Sequence, residues 1–166
     1  MLKIIGSILI ITATTSIGFS NSNEMQCHLR ELEELKKIFC LLRSELQYTR
    51  APFAEVFEKI GQKTMQPFQM WFFELCAKLN EKRCGMFWEI WCLSITEDLQ
   101  GTKLKADELE ELKNVGKNLE YMESLDLYIE QLEYKITNTR EAYRSKRKLC
   151  LSMGVMGGIF LVILLL

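Results

Sequence analysis

Apolar and polar positions along this chain follow three regimes. From Ile4 to Phe19 (IIGSILIITATTSIGF) and from Leu149 to Leu166 (LCLSMGVMGGIFLVILLL) there is no charged side chain, whereas between them apolar residues recur at helical spacing among dense charges. At about 1.5 Å of rise per residue, the last stretch makes a helix of about 27 Å, close to the roughly 30 Å hydrocarbon core of a bilayer. Being apolar on every side, it predicts a transmembrane helix rather than one face of a soluble bundle. The first stretch covers about 24 Å. It predicts a second span if the helix begins at Leu2 or the bilayer thins around it.

The flanking charges orient these segments. Arg144, Lys146, Arg147 and Lys148 stand directly before the last stretch, and such clusters hold the near end of a span on the cytoplasmic side. The first stretch, with Lys3 before it and the small residues Thr12 to Ser16 within it, also has the order of a secretory signal peptide. Cleavage there would send the basic cluster to the outer side, against the positive-inside bias. Two spans leave only Lys3 outside, offset by Arg30, Lys36 and Lys37 inside. The expectation is a transmembrane helix over residues 1–20, a cytoplasmic helical domain over 21–148, and a second transmembrane helix over 149–166.

Within the middle block, Leu29, Leu32, Leu35, Phe39, Leu42 and Leu46 step by three or four residues, predicting one amphipathic helix from Glu24 to Tyr48. Its other face carries Arg30, Glu33, Glu34, Lys37, Arg43 and Glu45, a pattern of solvated charge. Pro52 breaks this helix and opens a short one through Phe53, Val56, Phe57 and Ile60, which Gly61 is expected to end. Pro67 starts another, with Phe68, Trp71, Phe72, Leu75 and Leu79 on one face. A further helix is expected from about Cys84 to Leu99, with Phe87, Trp88, Ile90 and Trp91. After Gln100-Gly101-Thr102, a helix from Ala106 to about Gly116 shows Leu109, Leu112 and Val115, with acids in its first turn. The last cytoplasmic helix starts near Met122, carries Leu125, Tyr128 (or Ile129), Leu132, Ile136 and then Tyr143, and runs toward the membrane. No alternating run suits a strand, so the fold class is all-α, a helical bundle flanked by membrane helices.

Charge and cysteine content narrow the functions available. All 22 Asp and Glu, and all of the 21 Lys and Arg except Lys3, lie between Ser20 and Lys148. A nearly balanced domain lacks the cationic excess that tracking a phosphate backbone requires, which argues against nucleic acid as the main partner. The six cysteines include no C-x-x-C, and His28 is the single histidine, so zinc and redox motifs are missing. Reduced, buried cysteines are expected. Gly61-Gln62-Lys63-Thr64 lacks the glycine spacing of a phosphate-binding loop, and no nucleophile–histidine motif is present. Glu33, Glu34 and the group Asp107, Glu108, Glu110 and Glu111 are expected on solvated helix faces. Trp71, Trp88 and Trp91, with the phenylalanines from Phe53 to Phe87, are expected to form a packed core, the alternative being a partner groove. The reading is non-enzymatic, without metal or cofactor.

Small residues supply the remaining pattern. Gly154 and Gly158 form G-x-x-x-G in the last span, and Thr14 and Gly18 repeat the small-residue spacing in the first; either pair lets another helix backbone approach closely.

Taken in order, the opening MLKIIGSILIITATTSIGF, the turn Tyr48-Thr49-Arg50-Ala51-Pro52-Phe53 followed by Ala54-Glu55-Val56-Phe57, and the ending YRSKRKLCLSMGVMGGIFLVILLL resemble the stage III sporulation protein AB family. Lys3, Gly6, Gly18-Phe19, Gly154-Val155 and Gly158 match its two ends, and Trp88 stands where the family has a tryptophan. Val115-Gly116, Leu119-Glu120 and Glu123-Ser124 stand where it usually has Phe-Gly, Leu-Gly and a Ser-Asp element. The resemblance implies a membrane component of the channel linking mother cell and forespore, with a helical domain similar to secretion-system platform proteins. It further implies location in the cell membrane, at the mother cell face of the forespore outer membrane. The implied partners are the sporulation ATPase, stage III sporulation protein AA, other channel membrane proteins and lipid, with homo-oligomers allowed.

Two other readings start from the residues alone. One is a membrane-anchored thiol redox protein using Cys76, Cys84 or Cys92, and the other is an adaptor with a cleaved leader and a tail anchor.

Overall fold

The computed structural model describes the backbone of residues 2–48, 51–81, 86–119 and 121–165, and within them the side chains from 23 to 146 together with Lys148, Leu149, Ser152 and Met156. Among the described residues six α-helices follow one another: α1 Leu2–Tyr48, α2 Phe53–Gln62, α3 Phe68–Asn80, α4 Phe87–Asp98, α5 Ala106–Val115 and α6 Met122–Leu165, with a 3-10 turn at Gly116–Asn118 after α5. No strand occurs among the described residues. The chain divides into two units, Arg30–Ile136 and the pair of ends Met1–Leu29 with Thr137–Leu166.

In the unit Arg30–Ile136, α1 and α6 run antiparallel. Phe39 meets the edge of Tyr128 with ring centroids 4.6 Å apart, Lys36 pairs with Glu133 at 3.3 Å, and Arg43 pairs with Asp126 at 2.7 Å, so the register advances in opposite directions. The periodicity of α1 explains its face: Leu32, Leu35, Phe39 and Leu42 are fully buried, and Ile38 joins them beside the expected stripe. On α6, Leu125, Tyr128, Leu132 and Ile136 turn inward, as their three- and four-residue steps require.

Helices α2 and α3 form an antiparallel hairpin. The Cys76 thiol donates to the Ala54 carbonyl at 3.4 Å, and Phe57 lies 5.6 Å from Phe72 between ring centroids. Pro52 and Pro67 occupy the positions just before each helix, where a missing N–H costs nothing. Gly61 does not end α2, which continues to Gln62. Its backbone presses toward α3, and a Cβ there would sit 3.2 Å from that of Phe72, so glycine is used for close approach rather than for termination.

One further boundary differs from expectation. Helix α4 starts at Phe87 rather than Cys84; the Glu89 carboxylate accepts the Met86 N–H at 3.3 Å, which places the cap there. Residues 82–85 lie outside the described set. Helix α5 ends at Val115, and Gly116 begins the 3-10 turn.

The expected domain limits at residues 20 and 149 fall inside α1 and α6, each continuous through them. Side chains 1–22 and most of those from 147 onward, on which both span readings rest, lie outside the described residues. Among the described residues, no helix is long and apolar enough to cross a membrane.

Candidate interaction surfaces

The aromatic segment builds the interior of the bundle. Trp71 packs edge-on against Trp91 with centroids 5.0 Å apart, and Phe57 touches Phe53, Phe72, Phe87 and Trp91 at 5.6 to 6.0 Å. Both buried indoles need an acceptor, because an unmade hydrogen bond in this setting costs about 1–3 kcal/mol. Trp71 Nε1 donates to Ser94 Oγ at 2.9 Å, Ser94 donates on to the Trp91 carbonyl at 2.9 Å, and Trp91 Nε1 donates to the Leu112 carbonyl at 3.0 Å. This relay ties α3, α4 and α5 together and leaves the aromatics as core rather than groove. Trp88 and Phe73 depart from the rest: they are 36% and 43% exposed, and the Lys117 ammonium lies 4.7 Å from the Trp88 ring centroid.

Carboxylates expected on solvated faces divide into two kinds. Glu108 is buried, 4% exposed, and accepts the Lys105 N–H at 2.7 Å; capping the first turn of α5 draws it inward. Its neighbours Glu111 and Asp107 face α6 and pair with Lys135 at 2.8 and 3.6 Å. Burial by itself would lower the Lys135 pKa, but the hydrogen bond and charge of Glu111, aided by Asp107 and Glu108, raise it above the ordinary value. Lys78 behaves alike, with Glu97 and Asp98 outweighing its burial. On α1, Glu34 accepts from Lys37 at 2.9 Å and from the Met65 N–H at 3.1 Å, holding the start of the α2–α3 connection against that helix. Glu31 does the same for the Lys103 N–H at 2.6 Å. These acids serve structure, and the partners that sequence reasoning missed, Lys135, the Met65 N–H and the Lys103 N–H, lie on other elements.

The described thiols differ in burial: Cys76 is buried, Cys27 and Cys92 are half-buried, and Cys40, expected inside, is exposed. Burial, reinforced by Glu58, pushes Cys76 up to about 11, and burial also raises Cys92. A thiol that stays protonated near neutrality is a poor nucleophile, which disfavours thiolate chemistry at these two positions. Cys84 lies outside the described residues. Among the described residues, no group of three or more His, Cys, Asp or Glu side chains could hold a metal ion.

Several large apolar side chains also face outward from the bundle. Met65 and Met70 stand on the α3 side, with Phe73 over Gly61 at 3.4 Å from a Cβ there, and Leu127 and Tyr134 stand on α6. Of the topology residues, Arg144, Lys146 and Lys148 are exposed on α6; the side chains of Arg147 and Thr14, and the surroundings of Gly18, Gly154 and Gly158, lie outside what is described.

A family model described as stage III sporulation protein AB matches residues 3–166. The chain belongs to that family. It is 25% identical over 172 residues to stage III sporulation protein AB of Bacillus subtilis (strain 168), with all of both chains covered. A solved structure of stage III sporulation protein AB superposes with a TM-score of 0.65 at 20% identity, covering 71% of this chain and 97% of that one. That likeness establishes the helical fold, and family membership gives the chain a role in sporulation.

Proposed function

We propose that this chain is a membrane-embedded platform of the channel between mother cell and forespore, and that it acts without a reaction centre of its own. Its helical domain would face the mother cell cytoplasm and couple a secretion-type ATPase, stage III sporulation protein AA, to the channel's other membrane proteins. The observation that carries this reading is the family match from residue 3 to residue 166, which includes both uncharged ends as well as the bundle.

Two physical features support it. Helices α1 (Leu2–Tyr48) and α6 (Met122–Leu165) each include both a charge-free stretch and residues of the charged middle, as the termini of a membrane-anchored domain would. Among the described residues, the buried polar side-chain atoms are spent on internal partners, which leaves the surface of the bundle for contact with other proteins.

The test is reconstitution of the full chain with the ATPase in lipid bilayers. Association that survives membrane washing, together with cytoplasmic accessibility of the bundle in opened cells, is the expected result. No association with both proteins membrane-presented, or a chain that purifies from water without detergent, would overturn the reading. N-terminal sequencing of the mature chain is expected to find the first stretch intact.

A further inference from the structure

The α6 face opposite its buried stripe has an unusual composition. Leu125, Tyr128, Leu132 and Ile136 point inward, and at about 100° per residue Glu123, Leu127, Glu130 and Tyr134 occupy the opposite side. Leu127 is 58% exposed and Tyr134 is 70% exposed, one on each side of the Glu130 turn. These apolar residues lie seven apart, the interval at which a helix meets a partner helix turn after turn.

The carboxylates on this face are also set apart from their neighbours. On the same helix Asp126 is paired with Arg43 and Glu133 with Lys36, and on α5 Glu111 is paired with Lys135 and Glu110 with Lys113. Glu123 and Glu130 have no cation partner among the described residues. Nor does their own helix offer one: the residues three and four ahead of Glu123 are Asp126 and Leu127, and those ahead of Glu130 are Glu133 and Tyr134. Two uncompensated acids line one edge of an apolar ladder.

We propose that this stripe is a docking face for a cationic amphipathic helix of another protein, one whose apolar seam is flanked by lysine or arginine. Leu127 and Tyr134 would bury against the seam, and Glu123 and Glu130 would pair with its flanking cations, the division of labour that sets partner choice between packed helices. A second copy of this chain does not suit the face. In register it would set Glu123 against Glu123 and Glu130 against Glu130, and in the opposite direction it would bring no cation, because the stripe contains none. The partner is thereby defined by its charge, whichever protein of the channel carries it.

The probe is a synthetic helix of about three heptads with leucine at the seam and lysine on both flanks, compared with the same peptide carrying glutamate flanks. Each is titrated onto the full chain in lipid nanodiscs by fluorescence anisotropy at low and raised salt. The lysine peptide is expected to bind, to weaken with salt, and to lose at least about tenfold in affinity to E123K/E130K and to L127A/Y134A. The variant E58K/E74K makes the same change in net charge on α2 and α3 and is expected to bind as the parent does; circular dichroism verifies that every variant is folded. Equal binding of the glutamate peptide, equal loss in E58K/E74K, undiminished binding by E123K/E130K, or no binding by the parent would each overturn the proposal. Because no ATPase is present, these outcomes are independent of the platform reading.

Discussion

Gly116 lies directly against the five-membered ring of Trp91: a Cβ at this position would overlap Cδ1, Nε1 and Cγ of the indole. The backbone at Gly116 has φ −58°, open to any residue, so the demand for glycine comes entirely from the neighbouring ring. Trp91 cannot retreat, since its Nε1 is bonded to the Leu112 carbonyl one turn earlier on α5 and its other side packs on Trp71.

Gly116→Ala is therefore expected to destabilise the bundle by about 1–3 kcal/mol, the usual cost of forcing extra volume into a packed interior. Gly101→Ala, where nothing approaches within 4 Å, serves as the contrast and is expected to be near neutral. Thermal unfolding of both variants in detergent, followed by circular dichroism, checks this. Equal midpoints would remove the argument for close packing at Trp91.

Ser94→Ala is expected to cost about 1–3 kcal/mol, because it strands the Trp71 indole N–H in the core. Ser94 is fully buried, so water has no route to replace the hydroxyl. Pairing the substitution with Trp71→Phe should recover part of the hydrogen-bonding loss, a coupling that a double-mutant cycle measures directly.

Glu108→Ala is expected to lower stability by about 1–2 kcal/mol through loss of the cap on the Lys105 N–H. Glu108→Gln keeps an oxygen acceptor and should lose less. Denaturant midpoints of the two variants against the parent decide the matter.

Cysteine chemistry should sort by burial. Maleimide or iodoacetamide is expected to modify exposed Cys40 rapidly at neutral pH and Cys76 slowly, with Cys76 accelerating as the pH climbs toward about 11. The linkage has a definite sign: the folded state holds this proton above the pH at which an unfolded cysteine releases it. Stability is thus undiminished below an ordinary thiol pKa and declines from there up to about 11. Peptide mass spectrometry gives the rates. Comparable labelling of the two cysteines at neutral pH would contradict the burial.

Lys135 joins α6 to α5 through Glu111 and Asp107, and its raised pKa means that the favourable term is present below the ordinary lysine value and fades as pH rises through the folded one. The pair is partly exposed, so Lys135→Met should cost less than about 1 kcal/mol and the effect should shrink in high salt. A double-mutant cycle with Glu111→Gln isolates the interaction energy.

Much of the helical layout can be read locally. Leu32, Leu35, Phe39 and Leu42, like Leu125, Tyr128, Leu132 and Ile136, repeat with the period of a helix that buries one side, and the prolines before α2 and α3 mark their starts. The family was legible too, in the charge-free ends and the turn at Pro52. Surface reading was less dependable where one residue did two tasks: Glu108 looked like part of a solvated acidic run, yet capping turned it inward.

The chain's own pattern of residues thus settled the all-helical class, the approximate helix limits and the separation of a charged middle from uncharged ends, because burial and capping act over one or two turns. Which helices meet, and on which faces, required the tertiary arrangement. Trp91 against Gly116, the relay from Trp71 through Ser94, the pairing of Lys135 with Glu111, and the unpaired state of Glu123 and Glu130 all depend on residues far apart in the chain. Periodicity fixes only the side of a helix that a residue occupies; packing decides what stands opposite it.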